Sequence, residues 1–167
     1  MTERAIFGRR YSSYQPAGTE VYLLNGTAVS VTAAGTQSFI AGANLIQGAV
    51  VFVSGVYALP ASAASGVTLA QYNAIGITAE AATSTNSVSV VVDDIAVVSD
   101  ANITAEVSLV PGQYYYLSRA TGELTRYSTA SGLVTAASGF AALVSLGQAL
   151  STTELQVEIE APVTLTN

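Results

Sequence analysis

Carboxylates and tyrosines are the side chains of this sequence whose spacing could do chemistry. Asp93, Asp94 and Asp100 form its one acidic cluster. Calcium needs several oxygens converging on one loop, and the alternating Asp/Asn pattern with a central glycine is missing. The expectation is a strand end that finishes in solvated carboxylates. Glu158 and Glu160 are two positions apart, so on a strand they share a face. A hydrolase built on two carboxylates would need such a pair. Yet the chain has no histidine to act beside them and no tryptophan to form a sugar platform. In the run Tyr114-Tyr115-Tyr116 the outer two rings face one way and the middle ring the other. That predicts at least one core tyrosine, with a recognition patch as the rival reading.

The absences narrow the chemistry further. Without cysteine there is no disulfide, thiolate nucleophile or zinc-thiolate site. Without histidine the commonest general base and metal ligand are gone. The serine-rich stretches have no histidine or lysine to activate a hydroxyl. Gly-x-Ser-x-Gly, Walker-type and dinucleotide-type glycine loops do not occur. No catalytic residue, cofactor or metal is expected, and the chain reads as structural.

Charge points instead to a partner. All five basic residues are arginines, and Arg4, Arg9 and Arg10 lie in the first ten positions. Three arginines against Glu3 leave that segment at +2, while two arginines against ten acids leave the remainder at −8. A basic arm on an acidic body is built to dock on something negative. Arginine suits bidentate pairing with carboxylates. Tyr11 and Tyr14 follow, and tyrosine beside arginine is the pairing enriched at protein interfaces. Arg4, Phe7, Arg9, Arg10, Tyr11 and Tyr14 are therefore the candidate partner-binding residues. Three arginines without a basic body are a thin footprint for nucleic acid, so none is expected as partner.

The elements that position these residues are strands. Half the residues are apolar and 10% are charged, far from the signature of disorder and poor in charge for a lone soluble domain. No apolar run approaches the ~20 residues that span a bilayer, so no membrane association is expected. Met1–Arg10 has no hydrophobic segment behind its charges and does not read as a secretory signal. Residues 1–19 read as an extended arm, and 20–38 as a hairpin. Within that hairpin Asn25-Gly26 fits a two-residue type I′ turn, which sets Leu24 opposite Thr27 and Tyr22 opposite Val29.

An internal repeat organises the rest. Phe39–Gly48 lines up with Ile103–Gly112, and Val50–Ser54 with Tyr114–Ser118, both 64 positions on. Ser84–Val92 matches Ser151–Ile159, 67 positions on. Each copy reads as an alternating strand, a glycine turn, a strongly β run, a return strand, a small-residue stretch, then central and closing strands. That spacing predicts two small antiparallel barrels or sandwiches, at 39–102 and 103–167. The alanine-rich stretches 58–74 and 133–150 allow at most a helical turn each, since glycines interrupt them. Pro162 predicts an edge strand at the C-terminus. Apolar residues on both faces of strands such as Val88–Val92 predict that the copies pack on one another and that chains associate.

The pattern Gly112-Gln113-Tyr114-Tyr115-Tyr116-Leu117, a turn with Gly122-Glu123-Leu124, an Ala/Ser linker and Leu155-Gln156-Val157-Glu158-Ile159 resembles the β modules of tailed-bacteriophage virion surfaces. Those include capsid decoration (cement) proteins, head fibres and some tail-fibre repeats. The first copy supplies the expected Ile75-Gly76-Ile77, whereas the second has Leu143-Val144 there, without the glycine. The resemblance covers about residues 39–165 and leaves the arm and first hairpin without a counterpart. It implies a non-enzymatic protein on the outer capsid surface of a virion, made in the host cytoplasm. It further implies binding to the major capsid protein, with a trimer as the favoured homo-oligomer. A fibre that adheres to host glycans is the alternative.

Overall fold

Valine, isoleucine and tyrosine runs become strands wherever glycine turns bracket them, and the chain is all-β. The computed structural model describes residues 35–165, apart from 105, 130, 131 and 134–138, together with two strands before them. Those strands, β1 (Glu20–Leu24) and β2 (Thr27–Val31), pair antiparallel with Tyr22 opposite Val29 and Leu24 opposite Thr27. This is the register the Asn25-Gly26 turn predicts. The turn residues themselves lie outside the described residues.

The first module contains β3 (Thr36–Ala41), β4 (Val50–Ser54), β5 (Tyr57–Pro60), β6 (Gly76–Thr78) and β7 (Ser87–Val91). They close into a barrel in the order β3-β5-β4-β6-β7. Its ladders are antiparallel except the closing pair, β3 with β5, which is parallel. One helical turn, α1 (Leu69–Tyr72), is all the helix that the alanine-rich stretch 58–74 forms.

The second half supplies β8 (Ile95–Val97), a 3-10 turn at Asp100–Asn102, β9 (Tyr114–Leu117), β10 (Leu124–Arg126), β11 (Ser128–Thr129) and β12 (Gly132–Leu133). It ends with β13 (Ala142–Leu143), β14 (Ser145–Ala149), β15 (Glu154–Val157) and β16 (Val163–Thr164). The main sheet runs β10-β9-β14-β15-β8. A parallel bridge joins Ile103, beyond the end of β8, to Leu124 of the other edge strand, β10. Strand β16 pairs only with the two-residue β13, the edge position that Pro162 predicts.

The two sheets repeat one another ladder for ladder. Strand β9 stands for β4, β10 for β5, β14 for β6, β15 for β7, and β8 with Ile103 for β3. The structure also corrects the sequence alignment of the first strand. Phe39 lies opposite Val88, and its counterpart opposite Leu155 is Ala96, not Ile103. Ile103 corresponds instead to Ala41, each in a parallel bridge to the return strand. The first copy runs this strand through; the second interrupts it with residues 98–102. That insertion shifts the register, which is why β8, ahead of residue 103, pairs in the second sheet.

Alternation sorts the apolar residues of β4 into two cores. Val51 lies inside the first barrel with Ala41, Leu45, Ala58, Val88 and Val90. Val50 and Phe52 point the other way and join a larger cluster containing Leu109, Tyr115, Leu117, Leu124 and Leu155 of the second module. Burying a side chain such as Val50 or Phe52 is worth about 1.5–3 kcal/mol. Backbone hydrogen bonds splice the modules together as well. Ala63 N donates to the Ser118 carbonyl (2.8 Å), Gly122 N to Ala61 (2.7 Å) and Ala141 N to Ala63 (2.7 Å). The small residues of 61–65 allow this close approach. Each copy's module is thus completed partly by the other.

Candidate functional site

Asp93, Asp94 and Asp100 are not gathered as a set of metal ligands. Asp94 Oδ1 accepts from Ile95 N (2.7 Å), and Asp100 Oδ1 accepts from Ala101 N (2.9 Å). Both carboxylates serve the turns that flank β8. Among the described residues no three His, Cys, Asp or Glu side chains gather as metal ligands. No described helix is long and apolar enough to cross a membrane.

The tyrosine run alternates as its strand position requires. Tyr115 is fully buried, Tyr114 is 54% exposed, and Tyr116 lies between. Tyr115 is also the centre of a polar cluster that the sequence does not announce. Its hydroxyl donates to Glu106 Oε2 (3.1 Å) and accepts from Val110 N (2.9 Å). Arg126, directly opposite Tyr115 on β10, forms a salt bridge with the other oxygen of Glu106. Burial raises the Tyr115 pKa above its ordinary value, and the Glu106 charge pushes the same way; the Val110 amide opposes them. Glu106 sits on a loop twenty positions from Arg126, so no spacing rule could have joined them. The usable signal is scarcity: in so charge-poor a body, an arginine on a strand needs a carboxylate.

The outer rings face a groove. Tyr114 and Tyr116 line an open cavity of about 340 Å³ with Leu143, Ser145, Glu160, Ala161 and Val163. Tyr127 meets Tyr116 edge to face, with ring centroids 5.9 Å apart. Glu158 and Glu160 are both exposed, and Glu160 alone of the two lines this groove. Two carboxylates flanking one cleft, the geometry of glycoside hydrolysis, are therefore not brought together here. A second cavity of about 230 Å³ opens at the end of the first barrel, lined by Ala41, Gly42, Ser54, Tyr57, Leu59 and Ser84.

The two arginines of the body are both occupied by neighbours. Arg126 is held by Glu106, and Arg119 lies over the Phe140 ring at 5.4 Å. The predicted partner-binding residues Arg4, Phe7, Arg9, Arg10, Tyr11 and Tyr14 lie outside the described residues. A scan against protein-family models finds no matching family, and a search of curated proteins finds no match.

Proposed function

We propose that this chain is a structural virion protein, a capsid decoration protein that binds the outer surface of a phage head as a trimer and stabilises it. The observation that carries this reading is the duplication itself: one strand order used twice, closed into a barrel in the first module and left as a five-stranded sheet in the second, around a common core. Such a body is suited to serve as a building block. Its apolar surface residues, such as Val56, Tyr57, Tyr114 and Val163, are suited to contact with other protein. With Arg119 and Arg126 occupied inside an acidic body, the concentrated positive charge of the sequence is Arg4, Arg9 and Arg10. The arm would grip acidic capsid surface while the barrels project outward.

Co-sedimentation with heads of the source phage stripped of this protein tests the reading. The full chain should pellet with the heads, and a chain lacking residues 1–10 should remain folded and stay in the supernatant. Undiminished binding of the shortened chain would remove the arm's role. A full chain that ignores stripped heads would remove the capsid. One observation favours a second reading, host-glycan adhesion by a fibre: the exposed aromatic groove of Tyr114, Tyr116 and Tyr127 on the second module. A glycan array separates the two, since a decoration protein gives no signal there.

A further inference from the structure

The internal repeat shows what should cover the tyrosine groove. In the first module the outward face of β4, Val50 and Phe52, is buried at 0% and 7% exposure. It is covered partly by α1 of its own module, whose Tyr72 joins the same cluster, and partly by the turn that follows β9 in the second module. Val50 N donates to the Gly122 carbonyl (2.9 Å), and the turn at Ser118–Gly122 is hydrogen-bonded to Ala61 and Ala63. The same face of the second module is the outward face of β9, Tyr114 and Tyr116, and among the described residues Tyr114 remains 54% exposed in the groove. Conversely, the turn equivalent to Ser118–Gly122 in the first module is Ser54-Gly55-Val56, at the mouth of the 230 Å³ cavity. Val56 and Tyr57 there are 59% and 46% exposed.

The contact between the modules is therefore head to tail: a β-face of one repeat on a barrel end of the next. Among the described residues it leaves one exposed β-face, on the second module, and one exposed barrel end, on the first. A heterologous contact of this kind continues to another copy until a ring closes. We infer that the Tyr114/Tyr116 face of one chain docks on the Val56/Tyr57 barrel end of a second copy of this chain, repeating between chains the contact made within it. The chemistry fits the difference in circumstance. The intrachain face is valine and phenylalanine, never exposed once folded. The interchain face is tyrosine, which tolerates water before assembly and anchors well after it. The first-barrel cavity is lined by no charged side chain, so the rings meet no unpaired charge there.

This inference deepens the self-association in the reading above and does not depend on the capsid. Its test uses the full chain carrying Tyr114→Asp or Val56→Asp, both at exposed positions. Mass is measured by light scattering after size exclusion, with a melting curve as the folding check. The wild type should be larger than a dimer, and each variant alone should be a folded monomer. An equimolar mixture should give a heterodimer at high concentration, because one intact face then meets one intact end. Variants with unchanged mass, a monomeric wild type, or a mixture that stays monomeric would each overturn the inference. A wild type that stops at a dimer is what a two-fold, self-complementary interface would give, and it too overturns the inference. Should either aspartate variant fail to melt cooperatively, Tyr114→Ser and Val56→Ser replace them with the same expected masses. Wild type that assembles but ignores stripped heads leaves this inference standing and sinks the decoration reading alone. A sugar bound at Tyr114 of a monomeric chain overturns it in favour of adhesion.

Discussion

Replacing Phe52 by alanine should lower one shared melting transition of the whole body. Phe52 sits on the first barrel's wall with 7% exposure, yet its cluster includes Leu117, Leu124 and Leu155 of the second module. A buried Phe→Ala change costs about 3–5 kcal/mol, because the lost transfer energy is joined by a cavity that neighbours fill only partly. Relaxation is restricted here, since backbone hydrogen bonds from Ala61, Ala63 and Gly122 pin both sides of the gap. For a body of about 130 residues each kcal/mol shifts the midpoint by roughly 3–5 °C. The expected drop is roughly 9–25 °C. Differential scanning calorimetry of the full chain is the assay, at one protein concentration because association shifts the midpoint. Val88→Ala, inside the first barrel, should lower the same single peak by less. The reasoning fails if the wild type melts in two separated peaks, or if Phe52→Ala moves one peak and spares another.

The Tyr115 cluster gives a pH prediction. With its folded pKa raised, Tyr115 contributes stability that is complete below the ordinary tyrosine value of about 10 and is lost as pH rises through the folded value. Tyr115→Phe should cost about 1–3 kcal/mol at pH 7 by stranding the Val110 amide, and should flatten the alkaline decline of the melting midpoint. Parallel alkaline curves for the two proteins would contradict this. Gly147→Ala should unfold the second sheet or prevent expression, since φ is +142° there and a Cβ would lie 1.9 Å from the Gln156 carbonyl oxygen. A soluble variant with native circular dichroism would show that β14 and β15 can separate at that point.

Much of the fold was legible because it is written in local chemistry. Asn25-Gly26 set the register of β1 on β2, and alternation put Tyr115 inward and Tyr114 outward. Gly48 and Gly112, matched in the repeat, both adopt left-handed φ, at 83° and 80°. Less of the candidate site could be read. The acidic run 93–100 looked like a cluster and proved to be turn caps. Glu106, Arg126 and Tyr115 looked unrelated and proved to be one cluster.

The sequence alone determined strands such as β4, β5, β7, β9 and β15, since strand periodicity and turn conformation are decided within a few residues, whereas the strand expected over 103–112 is only a bridge at Ile103. Only the tertiary structure decided that β8 joins the second sheet, that the first barrel closes through a parallel pair, and that Val50 and Phe52 share one core with the second module. Those outcomes depend on which surfaces meet. Two faces of equal hydrophobicity, such as Val51 and Val50, carry no mark in the chain of which becomes the barrel interior and which the joint between modules. Geometric fit makes that choice, once small residues at 61–65 let the backbones come within hydrogen-bonding distance.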